Sequence, residues 1–293
     1  MPRRHISELV KIGALEESNL SLYYPRVRDR DDVEVLRDNK TEVIVLSRSD
    51  QTLGGYYEER VEKNSQTVLG REFSTPRLSD NIRRAEDFGS YIRNKRWVDF
   101  GCGLGGMLDE LGPQAQWAAG LEPNQQRAEI VRSKGHDVIS SIEEVPEKSL
   151  DIITMFHVLE HISEPTKVLI ALKSRLKPGG RLLVEVPHAR DALFTLYDSE
   201  AFKKFTFWSE HLVLHTRQSL RLLLNYAGYR NTEITGYQRY PLANHLYWLS
   251  QSRPAGHEIW SFLDQPNLHH EYSAILAGID RTDTLISVSC VEG

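Results

Sequence analysis

One stretch limits what this chain can fold into more than any other. Val98-Asp99-Phe100-Gly101-Cys102-Gly103-Leu104-Gly105-Gly106 is a short apolar strand running straight into closely spaced glycines. Glycine lets a backbone turn tightly after a strand and lets a ligand approach the main chain. The helix expected next would open with N–H groups that have no partner within the helix. Gly101, Gly103 and Gly106 satisfy G-x-G-x-x-G, a pattern shared with dinucleotide-binding folds and weak by itself. Asp99, two residues before the first glycine, opposes a pyrophosphate and suits a cationic amino-acid ligand. Glu122 ends the next expected strand, where a carboxylate can accept hydrogen bonds from both ribose hydroxyls.

From Ser79 onward, strands alternate with helices. Residues 97–100, 117–121, 137–139, 151–156 and 181–186 read as strands, followed by 231–239 and 282–291. Helices are expected at 80–93, 107–111 and 124–133, and again after Ser163, a cap residue before Glu164-Pro165. Another is expected at 217–227, where Leu220, Leu223, Leu224 and Ala227 fall on one face. The alternation predicts an α/β fold, a doubly wound and mostly parallel sheet of seven strands with right-handed crossovers. Such sheets bind ligands beyond the carboxyl ends of their strands. This domain is expected to span 79–293, with insertions at 187–216 and 241–281 as candidates for an acceptor site. Residues 1–78 are expected as a small N-terminal module. Its features are a hairpin formed by residues 33–35 and 43–46 around a turn at 37–40, a solvated charged loop at 26–32, and a lid at Gly54-Gly55-Tyr56-Tyr57.

Composition excludes several classes. The formal net charge is −5, which argues against wholesale binding to nucleic acid or an anionic membrane. Cys102 and Cys290 lie far apart and suggest neither a disulfide framework nor a thiolate zinc site. No apolar run approaches the roughly 20 residues of a membrane span. No apolar segment follows Met1-Pro2-Arg3-Arg4-His5, so no signal peptide is expected and the location is expected to be cytoplasmic. Nothing in the sequence sets an oligomeric state.

Four segments, taken in order, carry a likeness: VDFGCGLGG at 98–106, GLEPN at 120–124, MFHVLEHISEP at 155–165 and LKPGGRLLVEVPH at 176–188. In them the chain resembles class I S-adenosylmethionine (SAM)-dependent methyltransferases, with a Rossmann-like fold, over about residues 80–293. It is similar in particular to the branch holding ubiquinone-biosynthesis O-methyltransferases and methyltransferases of cell-surface sugar and polysaccharide biosynthesis. FWSEHLVLHTRQSL at 207–220 is similar to the polysaccharide group. The resemblance implies S-adenosyl-L-methionine as cofactor. It implies that Gly101, Gly103 and Gly105 contact the methionyl part, that Asp99 supports the glycine loop, and that Glu122 holds the ribose with Pro123 and Asn124 beside it. Adenine is expected near Ser141 and Ile142, with Phe156 and His157 lining the far side of the cofactor. Cys102 is expected to pack as a small buried residue. Some relatives carry paired cysteines for zinc in the N-terminal module; residues 36–43 here contain none, which is a departure from that pattern.

Methyl transfer is a displacement at a carbon already activated by a sulfonium, so positioning can supply much of the acceleration. For an alcohol acceptor, a general base adds about 10²–10⁴-fold, and histidine is the natural choice near neutral pH. His188 follows the fifth strand and is expected at the rim as base or substrate contact. His157, Glu160 and His161 stand at i, i+3 and i+4, on one side of a helical turn. Glu210, His211 and His215 lie in the following insertion. Each has a plainer alternative, in architecture, capping or packing. Glu160, His161, Glu210 and His211 include plausible metal ligands, but their spacing is not diagnostic and no metal is expected. Phe205, Phe207 and Trp208 would form an apolar wall or pack a core, and residues 240–245 would supply polar contacts. The expected activity is O-methylation of a sugar, nucleotide sugar or related small intermediate. The expected partner is a small-molecule or saccharide acceptor, with no nucleic acid and no membrane span. The alternatives are a quinone or other small-molecule methyltransferase, an NAD-dependent oxidoreductase, and a non-catalytic SAM-binding protein.

Overall fold

The computed structural model describes residues 3–52 and 75–292. The chain divides into two compact units. One comprises Met1–Thr52, His157–Lys167 and Val184–Val288; the other comprises Leu53–Phe156, Val168–Leu183 and Ser289–Gly293.

The first unit opens with helix α1 (Arg4–Lys11), which buries His5, Ile6 and Leu9. Strands β1 (Leu20–Tyr24), β2 (Val35–Asp38) and β3 (Ile44–Leu46) follow in antiparallel order. The expected hairpin is present, with Val35 opposite Leu46 and Arg37 opposite Ile44. Its turn sits slightly later than expected, because Arg37 and Asp38 are still strand. The Asp38 carboxylate then organises the turn: Oδ1 accepts from the backbone N–H groups of Lys40 and Thr41, both at 2.8 Å.

The second unit carries helix α2 (Thr75–Ile92), strand β4 (Arg96–Phe100), helix α3 (Gly106–Leu111), strand β5 (Trp117–Leu121), helix α4 (Gln125–Ser133), strand β6 (Asp137–Ile139) and strand β7 (Leu150–Phe156). β4 pairs parallel with β5 and with β7, and β5 with β6. Trp97, fully buried on β4, donates its indole N–H to Thr154 on β7 at 2.9 Å, a cross-strand bond that no sequence period reveals. Helix α5 (Pro165–Arg175) leads into strand β8 (Leu176–Pro187). The strand expected at 181–186 starts earlier, at Leu176, and includes Pro178-Gly179-Gly180. Gly179 takes φ +76°, and its N–H still donates to Val291 at 2.9 Å, so the ladder begins there.

Both expected insertions contain helices. Residues 187–216 contain helices α6 (Ala192–Thr195) and α7 (Glu200–Thr206) and strand β9 (Val213–Leu214). Helix α8 (Arg217–Tyr226) opens on a capping box of Thr216 and Ser219 and leads to strand β10 (Arg230–Tyr237). Residues 241–281 contain helices α9 (Leu242–Gln251), α10 (Gly256–Ile259) and α11 (Pro266–Gly278), and strand β11 (Thr284–Cys290) closes the chain.

The main sheet has seven strands in the order β10-β11-β8-β7-β4-β5-β6 and is mostly parallel. β11 runs against β8, with Val291 bonded to Gly180 and Asp283 to His188. A second sheet, β1-β2-β3-β9, is completed by the first insertion, since Ile44 pairs with Leu214 and Val45 with Val213. The apolar side chains of α1, β2 and β3 share one core with Phe194, Phe207, Leu212 and Leu214. Among the described residues, no helix is long and apolar enough to cross a membrane.

Candidate active site

In the second unit, the chain leaves β4 through three glycines in the left-handed region: Gly101 at φ +79°, Gly103 at +58° and Gly105 at +79°. Their side-chain-free backbone is required by conformation, because a Cβ in that region clashes with the following carbonyl. At Gly103 a Cβ would meet nothing within 4 Å, whereas at Gly105 it would lie 3.2 Å from Val131. The loop is tied to the end of β5, where the Leu121 carbonyl accepts from the N–H groups of Gly101 (2.8 Å) and Cys102 (3.1 Å).

Glu122 stands just beyond β5 and is 7% exposed. Its Oε2 accepts from the Gly103 N–H at 2.9 Å and its Oε1 from the Asn124 N–H at 3.0 Å. The carboxylate therefore sets the shape of the glycine loop as well as lying at the strand's carboxyl end. Asn124 caps α4 through its side chain, and Pro123 joins the two. Asp99 is buried and accepts from the Thr154 hydroxyl at 2.7 Å; burial pushes its pKa up to about 6 despite that bond. Cys102 packs against Gly120, and burial drives its thiol pKa upward, so it is an inert filler. Ser141 caps a one-turn 3₁₀ helix at Ile142–Glu144, and Ile142 is buried. Phe156 stacks on Phe88 at 5.6 Å, with the Arg84 guanidinium 4.7 Å over its ring.

This cradle suits a cationic ligand that carries a ribose. It offers buried carboxylates at the ends of two adjacent parallel strands, and a glycine backbone with no side chain in the way.

In the first unit lies a cluster of imidazoles and carboxylates. His157 follows β7 with φ +55°, a strained conformation for a residue with a side chain. Its ring lies between two fully buried carboxylates: Nδ1 is 3.1 Å from Glu160 and Nε2 is 3.1 Å from Glu185. Arg239 places Nη1 3.2 Å from the same Nε2. Burial and Arg239 would lower the His157 pKa, but the two carboxylates hold it above the ordinary value. Glu160 is pulled down to about 2 by the surrounding histidines against the cost of its own burial. Residues 159–161 form a 3₁₀ turn. His161 Nδ1 bonds the Glu210 carbonyl at 2.9 Å, and its ring meets His211 edge-on at 5.0 Å. Dry surroundings and the neighbouring His161 push His211 down to about 3. Glu210 thus enters this cluster through its backbone.

His188 is fully buried. Its Nδ1 bonds the Thr282 carbonyl at 2.9 Å and its Nε2 is 3.8 Å from Asp280, an acid that also engages Arg190 and Arg217. Burial lowers its pKa to about 4. It links β8 to the residues before β11. His215 is likewise buried, beside Ser219. Phe207 is core, packed on Phe194 and Tyr23, while Trp208 carries the Arg28 guanidinium at 4.8 Å. Tyr56 and Tyr57 lie outside the described residues.

Sequence reasoning missed Glu185, Arg239 and Asp283. Asp283 accepts from the Gln238 side chain at 2.9 Å and from the backbone N–H groups of Arg239 and Tyr240 at 3.0 and 3.1 Å. Beside it, His245 bonds Tyr272 at 2.7 Å, and Tyr272 bonds Tyr197 at 3.0 Å. One signal was available: Glu185 interrupts the apolar run Leu182–Val186, and an acid in such a strand needs a partner. Arg239 and Asp283 carry no comparable mark.

Comparison with known proteins agrees with this geometry. Residues 71–234 match the family described as "Methyltransferase domain". The ubiquinone biosynthesis O-methyltransferase of Photobacterium profundum is 24% identical over 180 residues, 57% of this chain and 76% of that protein. The enzyme of the same name from Xanthomonas euvesicatoria is 34% identical over 117 residues, 36% of this chain and 48% of that protein. The chain thus spans about half of the latter's length. Among solved structures, a SAM-dependent methyltransferase from Archaeoglobus fulgidus superimposes with a TM-score of 0.51 at 17% identity, covering 73% of this chain and 94% of that one. At that identity the match speaks for the fold alone.

Proposed function

The chain belongs to the methyltransferase domain family and is a SAM-dependent methyltransferase, and we propose that it methylates a hydroxyl oxygen of a sugar, nucleotide sugar or related biosynthetic intermediate. Bound S-adenosyl-L-methionine supplies a methyl group on a positively charged sulfur. We assign its ribose to Glu122, its methionyl part to the backbone of Gly101, Gly103 and Gly105, and its adenine to the neighbourhood of Ser141 and Ile142. Asp99 supports the loop from below. The Glu122 carboxylate, fixed by the N–H groups of Gly103 and Asn124, is the observation that carries this half of the reading.

On the acceptor side, we assign recognition of the hydroxyl to the cluster of His157, Glu160, His161 and His211. Glu185 and Arg239 hold the His157 ring in place. The Glu210 carbonyl orients His161. His188, enclosed on all sides, belongs to the scaffold in this reading. The sugar reading rests on the likeness of residues 207–220 to methyltransferases of polysaccharide biosynthesis. A second reading, a quinone or phenolic acceptor, is favoured by the names of the curated relatives.

Two experiments test these assignments. Calorimetric titration with S-adenosylhomocysteine should show binding that NAD does not, and Glu122→Gln should weaken it at least about tenfold through loss of a charged hydrogen-bond acceptor. Undiminished binding by Glu122→Gln would remove the ribose assignment. Transfer of labelled methyl from SAM to a panel of nucleotide sugars and catechols separates the two acceptor classes; product formed only on catechols would overturn the sugar reading.

A further inference from the structure

We propose that Glu160, His161 and His211 form a binding site for one divalent metal ion of the zinc, cobalt or manganese class. The proposal concerns metal binding by this cluster and holds whichever acceptor is methylated.

One ligand atom from each of the three residues lies within 4.8 Å of those of the other two. A point among them is within coordination reach of all three after small side-chain rotations, since metal–nitrogen and metal–oxygen bonds run about 2.0–2.2 Å. The residues come from different parts of the chain. Glu160 and His161 sit on the 3₁₀ turn after β7, while His211 lies in the connection between α7 and β9.

Two features point to a cation. First, the Glu160 side chain is completely buried, yet its Oε2 has no hydrogen-bond partner among the described residues. A buried carboxylate oxygen left unpaired is costly, and a metal ion is a partner that satisfies it. Second, the other oxygen of Glu160 is held by His157 at 3.1 Å, and His161 Nδ1 is bonded to the Glu210 carbonyl at 2.9 Å. A carbonyl only accepts, so Nδ1 of His161 carries the proton and Nε2 presents its lone pair. Outer hydrogen bonds of this kind orient metal-binding side chains.

The donor set selects the ion. Two imidazoles and one carboxylate suit zinc, cobalt, manganese or iron, while magnesium and calcium prefer oxygen alone. Three protein ligands leave a position for water or for an oxygen of the acceptor.

The test uses the full chain, stripped with a chelator, dialysed against Zn²⁺ and titrated with Co²⁺ under visible absorption. One Zn²⁺ per chain is expected, with ligand-field bands in the Co²⁺ form. Losing a direct ligand should weaken binding by more than the 10–100-fold typical of an outer-shell partner. That loss is expected for Glu160→Gln, His161→Gln and His211→Asn separately. His136→Asn, at a surface imidazole paired with Asp109, should bind as the wild type does. S-adenosylhomocysteine binding identifies which variants are folded. Absence of Zn²⁺ binding by the wild type, or wild-type affinity in any folded ligand variant, overturns the site.

Discussion

At the scale of single residues, the glycine loop shows how one backbone angle decides an amino acid. Gly103 and Gly105 both sit at positive φ, but only Gly105 also faces a neighbour, Val131 at 3.2 Å. Gly103→Ala should therefore cost about 1–2 kcal/mol of stability from conformation alone, and Gly105→Ala distinctly more. Urea unfolding of the two variants checks the order, and equal losses would mean that the Val131 contact relaxes freely. His157 makes the converse point. It carries a side chain at φ +55°, and residues held in such conformations cluster at functional sites. The sequence marked His157, Glu160 and His161 as a group because of their spacing. It could not show that Glu185, from the neighbouring strand, takes the other ring nitrogen of His157, because that contact depends on strand order.

At the scale of elements, the strands were legible because each is a short apolar run bounded by turn residues, and the parallel sheet followed from their alternation with helices. The ends were less legible. β8 begins at Leu176 and not at 181, because Gly179 can bend and still donate to Val291. β9 is only two residues long and exists because β3 offers it an edge. His188 joins elements as well. Its position after β8 suggested a rim residue, yet its ring is bonded across to the Thr282 carbonyl. His188→Ala leaves that carbonyl without its donor and opens a buried space, so it should lower unfolding free energy by about 2–4 kcal/mol. Binding of S-adenosylhomocysteine should persist near the wild-type level. Full stability in this variant, measured by denaturant unfolding, would show that the ring is not a brace.

At the scale of the molecule, buried histidines govern how the fold responds to acid. His5, His188, His215 and His245 are each held near pKa 4 by burial, against an ordinary 6.5. Between those values the unfolded chain binds a proton at each site that the folded chain refuses. Stability from each group is therefore complete above pH 6.5 and falls as the pH drops towards 4. Asp99, Asp191 and Asp283 act in the opposite sense, because burial raises their folded pKa and favours the fold on the acid side. His5 isolates one histidine, since its one hydrogen bond among the described residues is to the Leu46 carbonyl at 2.8 Å. His5→Asn should make the slope of stability between pH 6.5 and 4 shallower by about 1.4 kcal/mol per pH unit. Urea titrations at several pH values read that slope directly, and an unchanged slope would place the proton uptake elsewhere.

The sequence by itself determined the α/β class, the seven strands, the glycine turn and the carboxylate that ends β5. These are local properties: apolar period, glycine at positive φ, and a charged residue at a strand end are all written within a few positions of one another. Only the tertiary structure decided which histidines meet. His161 and His211 are 50 positions apart (211 − 161) yet touch edge-on, while His188 is sealed between β8 and the residues that precede β11. Burial and pairing depend on which elements pack together. A carboxylate oxygen without a partner among the described residues, such as Oε2 of Glu160, is visible only once its neighbours have been placed.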